Sequence, residues 1–273
     1  MKVPTAEKRP SLVLRTIAIC FVLSGATALV YEVLWARMLG LVFGATTIAI
    51  CAVLTAFMGG LAIGSAVAGK FVNRLRRPLR AYAFIEAAIG LYALLVPTLF
   101  WAMDHVYAGI WQRFHPGFYA FAFARLLLAA IVLMIPTALM GATLPVLVSA
   151  VRQSGDSRAT SVARLYGLNL LGAIIGAVLA GFFLLPSFGV SKSIWIAAIT
   201  NLLIGIAAFV NSRRGERERI GISPLLDRNQ LVAEEMKAGR AFWILCAFVS
   251  GVVTISMQVV WSRVLTMIIG SST

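Results

Sequence analysis

From Leu126 to Val151 the chain runs 26 residues without a charged side chain, and that stretch restricts the fold more than any other. As a helix rising about 1.5 Å per residue it would reach roughly 39 Å, more than a hydrocarbon core of about 30 Å. It must tilt, bend or protrude. Further apolar stretches, near 16–36, 46–69, 81–103, 165–187, 193–211 and 241–262, join this one, near 120–146, as segments of the length a transmembrane helix requires. Hydrophobic residues make up 60% of the chain and charged ones 12%, against about a quarter charged in a soluble domain. The expected fold is all-α, a polytopic bundle of transmembrane helices.

The net charge of +14 invites a nucleic-acid reading, but the basic residues follow the loops. Residues 1–15 hold four Lys/Arg, 70–80 five, 152–164 three and 212–240 seven, whereas the alternate connections hold only Arg37, Arg113, Lys192 and Arg263. Under the positive-inside rule this places the N-terminus and the 212–240 segment in the cytoplasm, with His105 and His115 in an outer loop. No nucleic-acid partner is expected; the lipid bilayer is. Cys20, Cys51 and Cys246 all fall in apolar spans without metal-ligand spacing, so neither a metal nor a cofactor is expected.

A repeat divides the chain. Ser24 to Thr47, SGATALVYEVLWARMLGLVFGATT, returns without a gap at an offset of 226 as Ser250 to Thr273, SGVVTISMQVVWSRVLTMIIGSST. The copies share Ser24/Ser250, Gly25/Gly251, Val33/Val259, Trp35/Trp261, Arg37/Arg263, Leu39/Leu265, Gly44/Gly270 and Thr47/Thr273. Internal repeats are the mark of many secondary transporters. The organisation expected is a basic N-terminus (1–15), six helices (16–211), a cytoplasmic connector (212–240) and the first helix of a second, truncated repeat (241–273). In the connector, Leu225, Leu226, Leu231, Val232 and Met236 suit one side of a surface helix.

Two glycine ladders predict close helix crossings. Gly60, Gly64 and Ala68 recur every four residues in the second span, and Gly172, Gly176 and Ala180 in the fifth, with Asn169 on nearly the same face. In the fourth span Pro136 and Pro145 each lack a backbone donor, and the carbonyls they free need partners elsewhere.

GGLAIGSAVAGKFVNRLRRPLR resembles the loop between helices two and three of the major facilitator superfamily, with Gly69, Arg74, Arg76 and Arg77 in place and Asn73 where that family usually has Asp. Together with Tyr31-Glu32-x-x-Trp35-x-Arg37, IPTALMGATLPVL and LYGLNLLGAIIGAVLAGFFLLP it resembles the membrane region of bacterial fused major-facilitator/spermidine-synthase-like proteins. Leu170 departs from that pattern, where Thr is expected. The resemblance implies a major-facilitator-like six-helix half plus one helix in a bacterial inner membrane. It also implies a soluble aminopropyltransferase domain outside these residues, beside the remaining half of the same protein. Within the 273 residues no nucleophile and base pair and no Gly-rich cofactor loop is recognisable, so no catalytic residue is assigned.

The candidate site residues are the polar groups inside spans, where a charge at a helix centre costs on the order of 2.5–3.5 kcal/mol. Glu32, Glu86 and Asn169 are the substrate-binding candidates, and Glu32 with Arg125 or Arg37 the candidate charge pair. A carboxyl group facing a cavity would attract an ammonium, which suits a polyamine or another organic cation in a transporter-like domain. The polyamine enters only through the resemblance. The alternative is a non-transporting anchor or scaffold for a cytoplasmic aminopropyltransferase domain, with these residues holding helices together.

Overall fold

A computed structural model describes residues 12–43, 47–115, 117–152, 158–219 and 240–269. They form long helices: α1 (Leu12–Phe43), α2 (Thr47–Phe71), α3 (Pro78–Phe114), α4 (Phe118–Arg152), α5 (Arg158–Leu179), α6 (Leu185–Arg219) and α7 (Arg240–Ile269). Short 3₁₀ and π turns sit at Val72–Arg74 and Ala180–Leu184. Among the described residues six helical stretches are long and apolar enough to cross a membrane, which makes the chain a multi-pass membrane protein by length and composition. The N-terminal basic residues 1–11 and most of the expected connector, 220–239, lie outside the described residues.

One of the six stretches, Val162–Arg213, has 52 residues, more than twice what a single span can use. Gly189 breaks it. Its backbone sits at φ 70°, ψ −179°, open to glycine and strained for any side chain. Ser193, fully buried, ties the break together, its hydroxyl 2.6 Å from the Gly189 carbonyl and 3.1 Å from that of Leu184.

The glycines fix the directions of the helices. Gly172 lies against Val22 and Gly176 against Ala26, so α5 runs with α1. Gly90 meets Ala198 and Asn201 while Gly205 meets Ala83, so α6 runs against α3. Because α3 pairs with α1 in register, Tyr82 beside Cys20 and Glu86 beside Ser24, the chain reverses between α5 and α6. A second parallel pair is α2 and α4, where Gly60 and Gly64 meet Thr137 and Ala138, and Gly141 meets Leu61. At each of these α1–α5 and α2–α4 crossings a Cβ on the glycine would overlap backbone or Cβ atoms of the facing helix, so only glycine allows the approach.

Pro136 and Pro145 are carried inside the single helix α4. Proline at 136 leaves the carbonyl of Val132 without its intrahelical donor, and the Tyr92 hydroxyl of α3 donates to it at 3.0 Å. The price of the proline is thus met by a neighbouring helix.

Helix α1 is the hub, packed against α5, α6 and, more lightly, α2, α3 and α4. The apolar interior falls into two clusters. One gathers Tyr31, Leu34, Trp35 and Leu39 with Phe57, Ile89, Leu133 and Ile194. The other gathers Ile17, Phe21, Tyr82, Leu147, Leu165 and Ile204. Between the two clusters stand buried polar residues, Ser24 and Thr27 on α1, Glu86 on α3 and Asn201 on α6.

Candidate functional site

Those polar residues form one connected layer. Ser24 and Tyr31 stand seven residues apart on α1, two turns and so the same face. Glu86 comes from α3 and Asn201 from α6. The Ser24 hydroxyl donates to Glu86 Oε1 at 2.6 Å, and Asn201 Nδ2 donates to Oε2 at 2.6 Å. Tyr31 donates its hydroxyl to Asn201 Oδ1 at 3.1 Å, which also fixes the orientation of that amide. The Tyr82 hydroxyl bonds Glu86 as well, and lies 3.5 Å from the Cys20 carbonyl. Glu86 is 0% exposed. Both of its oxygens are held by donors from α1, α3 and α6, short bonds of the kind that compensate a carboxyl removed from water.

Such a layer does two things chemically. It makes burial of the carboxyl tolerable, and it specifies which helix faces meet, since sliding α6 by a turn would strand several polar groups in a low-dielectric interior. Just beyond it, Trp35 stacks on Tyr31 with centroids 5.1 Å apart and an interplanar angle of 13°. The buried Trp35 Nε1 has no hydrogen-bond partner among the described residues.

The other sequence candidates are distributed differently. Asn169 sits in the α1–α5 crossing, its Nδ2 donating to the Phe21 carbonyl at 3.4 Å and its backbone closing on Gly25. Glu32, one residue past Tyr31, points to another face of α1; it is 8% exposed and hydrogen-bonds Gln258 of α7. These are equivalent positions of the repeat. Arg37 is exposed. The Arg125 side chain lies outside the described residues, and with it the Glu32–Arg125 pair. The structure therefore brings Glu32, Glu86 and Asn169 to α1 at three separate places and does not join them into one site. Among the described residues no group of three or more His, Cys, Asp or Glu is placed to hold a metal.

Sequence reasoning selected Glu86 but passed over Ser24, Tyr31, Tyr82 and Asn201. A signal existed for Asn201, an amide between apolar residues in the middle of its span, and for Ser24, a matched position of the repeat.

Comparison with known proteins gives a consistent set of relatives. The chain is 24% identical over 207 residues to polyamine aminopropyltransferase 1 of Streptomyces coelicolor, covering 75% of this chain and 35% of that protein. It is 26% identical over 200 residues to the polyamine aminopropyltransferase of Corynebacterium efficiens, covering 71% and 34%. The corresponding protein of Oceanobacillus iheyensis matches at 24% over 178 residues, covering 65% and 32%. No protein-family model and no solved structure matches. The chain spans about a third of the length of these relatives. It is a membrane helical region distantly related to polyamine aminopropyltransferases.

Proposed function

We propose that this chain is the membrane domain of a polyamine aminopropyltransferase-like protein, and that its task is to hold the synthase part at a bacterial cytoplasmic membrane. The observation that carries this reading is the state of Glu86. A carboxyl that captures a substrate ammonium needs an oxygen open to water, whereas both oxygens of Glu86 serve Ser24, Asn201 and Tyr82. The most deeply buried acidic group among the described residues is thus committed to closing three helices on one another. The distribution of Lys and Arg supports an orientation with the N-terminus and the 212–240 segment on the cytoplasmic side.

A second reading rests on Glu32. It lies where α1 meets α7, the two copies of the repeat, and its partner there among the described residues is the neutral amide of Gln258. A polyamine or other organic cation passing between two major-facilitator-like halves would meet this carboxyl.

The experiment exchanges these residues, in the full-length protein, for unrelated transmembrane helices. Under the first reading aminopropyl transfer in membranes stays within twofold of the parent, and the intact protein in proteoliposomes takes up no more labelled putrescine or spermidine than empty vesicles do. Uptake that Glu32→Gln abolishes would replace the first reading by the second.

A further inference from the structure

The Tyr82 hydroxyl has one hydrogen and two acceptors within reach. It bonds Glu86, and it stands 3.5 Å from the Cys20 carbonyl, at the outer edge of bonding distance. The amide of Asn201 has no such choice. Tyr31 gives its hydrogen to Asn201 Oδ1, which turns the amide so that Nδ2, a group that can only donate, faces Glu86 Oε2 at 2.6 Å. On the other oxygen, Oε1, the Ser24 hydroxyl donates at 2.6 Å. Each placement of the Tyr82 hydrogen suits a different state of Glu86. With Glu86 ionised, Tyr82 donates to it and the carboxylate accepts three hydrogen bonds. With a proton on Glu86, the carboxyl donates to the Tyr82 oxygen while the Tyr82 hydrogen turns to the Cys20 carbonyl. The same heavy atoms serve both states, and neither strands a buried donor or acceptor.

The surroundings supply no charge to hold Glu86 in one of these states. Facing it are Cys20, Ser24 and Tyr31 of α1, Tyr82 of α3 and Asn201 of α6. The titratable ones, Cys20, Tyr31 and Tyr82, are neutral when protonated and never positive. Helix α4, the remaining neighbour of α3, has no ionisable side chain from Leu126 to Val151. Ionisation therefore leaves a full negative charge in the apolar interior, met by dipoles alone, and protonation leaves none. We propose that Glu86 is a proton-binding site, with Tyr82 as the hydroxyl that turns between Glu86 and the Cys20 carbonyl as the proton comes and goes. The ligand is a proton that the carboxylate takes up from water, so the layer passes from one negative charge to none with no bond between heavy atoms made or broken. Because the carboxyl stands where α1, α3 and α6 meet, its proton sets the charge around which those helices close. This role for Glu86 rests on the membrane-anchor reading in one respect, that the layer is closed to water and to larger cations.

The test is infrared difference spectroscopy of the whole chain in detergent, stepped across the pH range over which it stays folded, with the tyrosine rings isotopically labelled. Among the carboxyl carbonyl bands that grow as pH falls, one should be missing from Glu86→Gln and kept in Glu32→Gln. A tyrosine C–O band should shift in step with it, at the same midpoint, as the Tyr82 hydroxyl changes partner. Tyr82→Phe should remove the tyrosine shift and displace the carboxyl band, since the acceptor of its proton is gone. If Glu86→Gln fails to fold, that displacement in Tyr82→Phe identifies the Glu86 band instead. A Glu86 carboxyl that keeps one protonation state throughout, a tyrosine band that stays still while Glu86 titrates, or a carboxyl band unmoved in Tyr82→Phe would each overturn the proposal. The first of these leaves the anchor reading standing, because aminopropyl transfer after the exchange of the helices does not depend on it.

Discussion

Helices α1 and α7 carry the same sequence pattern and live in different surroundings. Trp35 is 0% exposed and stacked on Tyr31, whereas its counterpart Trp261 is 59% exposed. Gly25 has the Asn169 backbone pressed against it, but nothing described approaches Gly251 within 4 Å of where a Cβ would stand. Ser24 donates to Glu86, while Ser250 is exposed and accepts from Thr254 through its carbonyl. The difference teaches that a membrane helix is not buried by its own apolarity, because lipid tails satisfy Leu and Val as well as protein does. Burial follows from small residues and polar groups that a neighbouring helix answers, and among the described residues α1 has α5, α3 and α6 to answer them.

The largest expected effect is at the matched glycines. Gly25→Leu would drive a side chain into the Asn169 backbone and part α1 from α5, costing more than about 3 kcal/mol and lowering the yield of folded protein, while Gly251→Leu should stay within about 0.5 kcal/mol of the parent. Gly176→Leu, opposite Ala26, should behave like Gly25→Leu. Thermal unfolding in detergent measures all three, and equal losses at 25 and 251 would break the comparison. At the matched tryptophans, Trp35→Ala should cost about 3–5 kcal/mol through the cavity it leaves, and Trp261→Ala less than about 0.5. A Trp261→Ala loss approaching that of Trp35→Ala would mean that α7 is as firmly packed as α1.

Smaller still is the contrast between the matched serines. Ser24→Ala removes one of the donors to Glu86 and should cost about 1–3 kcal/mol, whereas Ser250→Ala should be silent. A Glu86→Gln background sharpens this, since the Ser24→Ala penalty should shrink once the carboxyl it serves is gone. A penalty that is unchanged in that background would detach Ser24 from the polar layer.

Much of this was legible from the sequence. Apolar length gave the spans, because hydrocarbon thickness leaves little choice, and the ladder spacing of Gly60, Gly64, Gly172 and Gly176 pointed at helix approaches, because no other side chain permits them. Glu86 was visible as a carboxyl inside a span. Its partners were not, since Ser24, Tyr31, Tyr82 and Asn201 come from α1, α3 and α6, and polar residues within spans carry no mark of which ones will face each other. The same reason hid the Glu32–Gln258 contact. The repeat identified these positions as equivalent, but equivalence in sequence does not make two residues neighbours. The break near residue 189 was placed by its polar composition, whereas the π turn at Ala180–Leu184 before it had no local signal.

The repeat also supplies the most direct test of the claim that the bundle is sealed around α1, because Cys20 and Cys246 are equivalent positions and both are free thiols, one buried and one exposed. With Cys51 replaced by Ala, the folded chain in detergent is reacted with a small neutral maleimide and modification at each cysteine is followed by mass spectrometry. Cys246 is expected to label at least tenfold faster than Cys20, with Cys20 becoming reactive only on unfolding. Labelling of Cys20 at the rate of Cys246 in the folded protein would show that water and reagent reach the inner face of α1 beside Tyr82 and Glu86, and the account of a closed membrane domain would be contradicted.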